Sequence, residues 1–176
     1  MAINYPDAKH QNEFERGLEF QDFAQVQLAK IGITISYFVS RRCQYERGES
    51  LQGVEVKLDD LCTTTGRLSI EIAEKSKASN PTFAASGIYR EDNTWLYVQG
   101  NYQRLFVFAK KHLRSLHLSG KFQEHQTLTL KAFYLPIARA ESLSVHFLLF
   151  DKSKAPDVNT NAFLDYWKTK QKDAPR

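Results

Sequence analysis

The chain has 176 residues, of which 42% are hydrophobic and 25% charged. This is ordinary globular usage in a length suited to one full core, which excludes a disordered or collagen-like chain and argues against two domains. A net charge of +4 permits a polyanionic partner without requiring one, and two cysteines, Cys43 and Cys62, exclude a disulfide scaffold or a zinc site built on paired cysteines.

In chain order, residues 11–31 read as a helix. Phe14, Leu18, Phe23, Val26 and Ile31 recur near helical spacing, Glu15, Glu19 and Asp22 fall elsewhere, and Gly32 is a stop signal. Residues 33–39, β-branched and aromatic, read as a strand. Residues 40–53 form a polar connection with a distorted turn of helix. Residues 54–59 then alternate apolar Val54, Val56 and Leu58 with charged Glu55, Lys57 and Asp59. Residues 67–75 repeat the alternation, with Leu68, Ile70 and Ile72 on one face. The linker ends in Thr63-Thr64-Thr65-Gly66, so the two runs predict a β-hairpin.

Residues 94–99 and 105–109 predict a second hairpin around Gly100-Asn101, and residues 110–118 a basic helix. Residues 127–135 and 144–150 read as strands or strand-helix mixtures. Residues 151–176 form a polar C-terminal extension whose short amphipathic piece carries Phe163, Tyr166 and Trp167. No point invites a cut, so residues 1–176 form a single domain. The opening residues lack the apolar core of a signal peptide and residues 147–150 are too short an apolar stretch to span a bilayer. The expectation is a cytoplasmic protein with no membrane partner.

The first predicted hairpin would gather Glu55, Lys57, Asp59, Glu71 and Lys75 on one face, with cross-strand neighbours about 5 Å apart. Two or three carboxylates with a lysine is the set that metal-dependent phosphodiester hydrolysis uses. Magnesium takes oxygen ligands and keeps several waters, and a lysine orients water or stabilises charge on phosphorus. The same alternation also describes a solvated sheet face with cross-strand ion pairs.

Asp59, followed by Glu71 on the next strand, resembles the acid-then-acid-x-lysine pattern of the PD-(D/E)xK nuclease superfamily. The likeness extends through Cys43-Gln44-Tyr45-Glu46-Arg47-Gly48-Glu49, Gly53-Val54-Glu55-Val56-Lys57-Leu58-Asp59, Thr65-Gly66-Arg67-Leu68-Ser69-Ile70-Glu71-Ile72-Ala73-Glu74-Lys75, Ser86-Gly87-Ile88-Tyr89 and Trp95-Leu96-Tyr97-Val98. Together these strings resemble a branch of small bacterial and phage proteins with the restriction-endonuclease-like fold.

The resemblance implies an α/β (α+β) class. Its core is a central mixed β-sheet with an antiparallel hairpin carrying the site, flanked by helices. It also implies Asp59 and Glu71 as ligands of Mg2+ or Mn2+, with Glu55 and Glu19 auxiliary and Glu15 a substitute for Glu19. Where the pattern expects lysine two residues after Glu71 this chain has Ala73, so either the site is inactive or the lysine comes from elsewhere, from Lys57 first and Lys75 second. A second parsing takes Glu55-Val56-Lys57 as the acid-x-lysine triplet and Glu49 as the earlier acid.

The expected activity is that of a nuclease acting on DNA, with RNA as an alternative substrate. The rival is a catalytically inactive nucleic-acid-binding or assembly module on the same fold. Arg41, Arg42, Gln44, Arg47, Ser86, Lys110, Lys111 and Arg114 are the expected nucleic-acid contacts; solvated surface or turn chemistry is the ordinary account of each. Trp95 and Tyr97 alternate on a strand, where core packing competes with base stacking. The five histidines show no ligand spacing. Cutting both strands with one site would require a homodimer or sequential action.

Overall fold

The structure, a computed structural model, describes residues 8–150. It is a mixed α/β protein with two four-stranded sheets and several helices. Helix α1 (Ala8–Ala29) buries Phe20, Ala24 and Leu28, spaced four apart, as a single stripe, which corrects the expected face: Leu18 and Val26 are exposed, and Phe23 and Ile31 are half-buried at its margin. It stops where the sequence signals: Gly32 is left-handed at φ 83, and the Ile33 amide donates back to the Leu28 carbonyl at 3.0 Å. The amphipathic 162–168 piece lies outside the described residues.

The strand expected at residues 33–39 does not form; only a single bridge joins Tyr37 to Ser50. The segment's backbone bonds go instead to the turn that follows, with Phe38 N donating to Glu49 O at 3.0 Å and Leu51 N to Ser36 O at 2.9 Å. Helix α2 (Arg41–Arg47) lies between, its N-terminus capped by Ser40.

Strand β1 (Val54–Leu58) pairs in parallel with β4 (Leu96–Asn101), which pairs antiparallel with β5 (Arg104–Ala109), and β5 with β8 (His146–Leu149). Strand β2 (Arg67–Glu74) belongs to the other sheet, between β3 (Ala84–Ala85) and β7 (Leu130–Pro136), with β6 (Glu124–Gln126) beyond β7. The expected β1–β2 hairpin is therefore corrected. A helical turn, α3 (Cys62–Thr65), ends at Gly66 with φ 68 and sends β2 into the second sheet. Strand β4, with all six residues buried, takes one edge of β1 and Glu49 meets the other. The second hairpin forms as β4–β5, turning at Tyr102-Gln103. Helix α4 (Lys110–Leu118) matches the predicted basic helix residue for residue, and α5 (Ile137–Leu143) follows β7.

Two cores result. Val54, Val56, Leu96, Val98, Leu105 and Val107 pack with α1, while Tyr97, Phe106 and Phe108 pack with Leu68, Ile70, Phe133 and Leu113. Alternation thus puts apolar side chains on both faces of β4 and β5, with Gln99 and Asn101 as polar members of the Tyr97 face, whereas β1 presents Glu55 and Lys57 on the face it shares with Tyr97.

Candidate functional site

Glu49 reaches β1 because the chain turns sharply between them. The buried Ser50 hydroxyl accepts from Val54 N and donates to Val54 O, both at 2.8 Å, and Gly53 takes φ 71. The turn lays Glu49 along the open edge of β1, where its Oε2 accepts the Val56 amide at 3.3 Å and the Gln21 side-chain amide of α1 at 3.3 Å.

Lys57 closes the group. Its Nζ lies 3.0 Å from Glu55 Oε1 and 3.5 Å from Glu49 Oε1. The Glu55 side chain is only 2% exposed, and its Oε2 is buried with no hydrogen-bond partner in the described structure. Burial pushes the Glu55 carboxyl above its ordinary range, with Glu49 adding to the shift and Lys57 opposing it. Burial alone would depress Lys57, but Glu55 and Glu49, with Tyr97 and Glu71, outweigh it and hold the ammonium charged well above the usual lysine range. Glu49 and Lys57 open on a cavity of about 510 Å³ lined also by Arg16, Gln21, Gln44 and Asp60, with Glu55 buried behind them.

Glu71 comes from the other sheet and lies within electrostatic reach of both Lys57 and Tyr97. A bulge positions it: the β2–β7 register slips between Glu71 and Ala73. Gly87 presses on the same spot. A Cβ there would lie 2.4 Å from the Glu71 carbonyl oxygen, and the residue has φ 50.

The other expected site residues are placed apart. Asp59 Oδ2 accepts from Ser69 N at 2.9 Å and from Gln99 Nε2 at 3.0 Å, and Gln99 Nε2 also donates to Ser69 O at 2.9 Å. This clip ties the two sheets together, and burial raises the Asp59 carboxyl. Glu19 is exposed on α1, where its charge acts on Tyr102. The Lys75 ammonium sits 4.5 Å from the Phe83 ring centroid.

Among the expected phosphate contacts, Gln44 lines the cavity and donates to Phe38 O at 2.6 Å. Arg42 pairs with Glu46 at 2.8 Å, Arg47 is exposed, and the Arg41 side chain lies outside the described ones. The Ser86 hydroxyl is buried without a hydrogen-bond partner. Lys111 is exposed, and Arg114 donates to the carbonyls of Ile88 and Arg90. Lys110, expected at the surface, is buried: its Nζ donates to Asp92 Oδ1 at 2.9 Å and to Arg90 O at 2.8 Å.

Gln21 and Arg90 join this region without any sequence signal, since an isolated amide or guanidinium in a polar stretch looks like solvated surface. Arg90 donates to the carbonyls of Gln44 and Tyr45 and so holds α2 in place. Among the described residues no group of three or more His, Cys, Asp or Glu stands in position to hold a metal ion, and no helix is long and apolar enough to cross a membrane. Compared with protein-family models, curated proteins and solved structures, the chain finds no match in any of the three.

Proposed function

We propose that the chain is a metal-dependent phosphodiesterase acting on DNA, with a restriction-endonuclease-like site read through Glu49, Glu55 and Lys57. The observation that carries this reading is the acid-x-lysine pair of β1 closing on Glu49 beside an open cavity, with Glu55 Oε2 buried and unpartnered. Burying a carboxylate oxygen without a hydrogen bond costs about 1–3 kcal/mol or more, so the arrangement calls for a function.

The donor set fits a hard divalent cation. Glu49 and Glu55 supply carboxylate oxygens, and magnesium needs few protein ligands because it keeps its waters. Bound there, magnesium or manganese would polarise a phosphate and lower the pKa of a bound water. Lys57 keeps its proton and presents fixed positive charge at the cavity, suited to orienting water or stabilising charge on phosphorus. Gln21 holds Glu49 in position, and Glu71 adds negative potential from the second sheet. Asp59 is assigned to the sheet-to-sheet clip rather than to the cation.

The test is cleavage of plasmid and oligonucleotide DNA, with an RNA control, in magnesium or manganese. Glu55→Gln and Lys57→Ala lose metal-stimulated cleavage, while folded Asp59→Asn retains it. Parental rates in Glu55→Gln overturn the assignment. No cleavage by the parent, together with no cation binding by calorimetry, would transfer the protein to the rival class of non-catalytic nucleic-acid-binding or assembly modules.

A further inference from the structure

A second cavity, of about 640 Å³, opens at the start of α4 and is lined by Arg90, Asp92, Trp95, Lys110, Lys111 and Arg114. Glu91 completes its charges, so four cations face two carboxylates. Asp92 is shared by Lys110 at 2.9 Å and Arg90 at 3.4 Å. Among the described residues Arg114 donates to the carbonyls of Ile88 and Arg90 and lies 5.7 Å from the Tyr89 ring centroid, with no carboxylate partner, and Lys111 makes no ion pair. Lys111 and Arg114 are three apart on α4 and so share a face, leaving positive charge uncompensated there.

Trp95 supplies an aromatic wall. Its residue is 60% exposed, yet the ring is not loose. Its Nε1 donates to Gln52 O at 2.7 Å, and a Cβ on Gly53 would lie 2.7 Å from its Cδ1, so the indole packs directly on the bare backbone of that turn. A large ring held this way accepts a stacked partner with little further loss of side-chain freedom. A fixed, exposed indole beside uncompensated cations matches a flat base joined to a phosphate.

The cavity also lies next to the proposed cleavage site. Trp95 precedes Tyr97, the register partner of Glu55, by two residues, about 7 Å along the strand. Arg90 on its rim bonds the backbone of Gln44, whose side chain lines the first cavity.

We propose that this second cavity is a subsite for one nucleotide of an unpaired nucleic-acid strand, its base stacked on Trp95 and its phosphate held by Lys111 and Arg114. The nature of the ligand rests on the phosphodiesterase reading above. The subsite favours substrates with single-stranded ends or flaps, whose bases are free to stack.

The experiment measures fluorescence anisotropy of a short labelled oligothymidylate with the full chain, in EDTA so that no cleavage occurs, across a salt series. Trp95→Ala, confirmed as folded by circular dichroism, weakens binding roughly 10-fold or more, and Trp95→Phe restores most of it. Lys111→Gln lowers the magnitude of the log K against log salt slope by about 0.7. Parental affinity in Trp95→Ala overturns the subsite, as does an unchanged salt slope in Lys111→Gln. Displacement by equimolar thymidine monophosphate would overturn it in favour of a free-nucleotide site. Glu55→Gln separates the two readings, because it removes the catalytic carboxyl and leaves Trp95, Lys111 and Arg114 in place: it does not cut. Cleavage by Glu55→Gln refutes the catalytic assignment, whereas loss of cleavage there with parental binding by Trp95→Ala refutes only the subsite.

Discussion

Replacing Lys57 by methionine keeps most of the side-chain volume and removes an ammonium that touches both Glu55 and Glu49. Breaking a buried ion pair from one side costs about 3–5 kcal/mol because the remaining charge is stranded. Two features reduce that here. A third of the Lys57 side chain is exposed, so water already screens part of the pair. Glu55 can also escape by taking up a proton, at 1.36 kcal/mol for each unit of pKa shift. The expected loss is about 2–3 kcal/mol near neutral pH, or roughly 5–10 °C in Tm for a chain of this size.

The loss should depend on pH in a definite direction. Burial already raises the Glu55 carboxyl, and losing Lys57 raises it further. A carboxyl raised on folding contributes stability below its unfolded pKa and loses it as pH climbs through the folded value. Lys57→Met should therefore lie closest to the parent near pH 4 and fall furthest behind near pH 8. Urea unfolding followed by circular dichroism at those two pH values measures this. The double variant Glu55→Gln/Lys57→Met should recover part of the loss, because the buried Glu55 charge is gone and the remaining Glu49 carboxylate keeps its Val56 and Gln21 amide donors. A Lys57→Met protein within about 0.5 kcal/mol of the parent at pH 8, or one equally impaired at both pH values, would refute the buried-pair account.

Three further substitutions probe the frame around the two cavities. Gly87→Ala drives a methyl into the Glu71 carbonyl and imposes φ 50 on an L side chain, so it should cost about 2–4 kcal/mol in thermal or urea unfolding. Gly17→Ala in α1, with nothing within 4 Å, should instead gain about 0.5–1 kcal/mol, and equal effects of the two would contradict the close approach. Burial would raise Asp92, but hydrogen bonds from Lys110 and the Thr94 amide outweigh it and hold the carboxyl below its ordinary value. Its stabilising contribution is present above the unfolded value near 3.8 and is lost as pH falls through the folded one. Lys110→Met should thus cost about 2–4 kcal/mol at neutral pH, with a deficit that shrinks in acid urea titrations; a pH-independent deficit counts against it.

Local pattern and tertiary pairing contributed differently to this fold. Helix α1 and its stop at Gly32, the β4–β5 hairpin and helix α4 were legible because their signals lie within a few residues: one amphipathic run, one left-handed glycine, one short turn. The face that α1 buries was not, since Leu18 and Val26 are exposed while Phe20, Ala24 and Leu28 point inward. The alternation of β1 and β2 was equally legible, but alternation specifies a face and leaves the neighbour open. Their short connection invited a hairpin, and α3 with Gly66 turned it into a crossing between sheets. Strand β1 went instead to a parallel partner forty residues on, where β4 is buried throughout.

That choice of partner decided the site. The sequence alone determined that acids and lysines would alternate with apolar residues along two strands, and that Glu55 and Lys57 would share a face. Tertiary structure decided which of those acids Lys57 meets. With β4 on one edge of β1, the other edge admits Glu49, while Asp59 is drawn into the clip with Ser69 and Gln99. It also placed Lys110 inside, because the helix it begins packs its first turn against Asp92. Side-chain direction follows from period-two geometry within a strand, whereas proximity between charges depends on contacts dozens of residues apart, which no local pattern encodes.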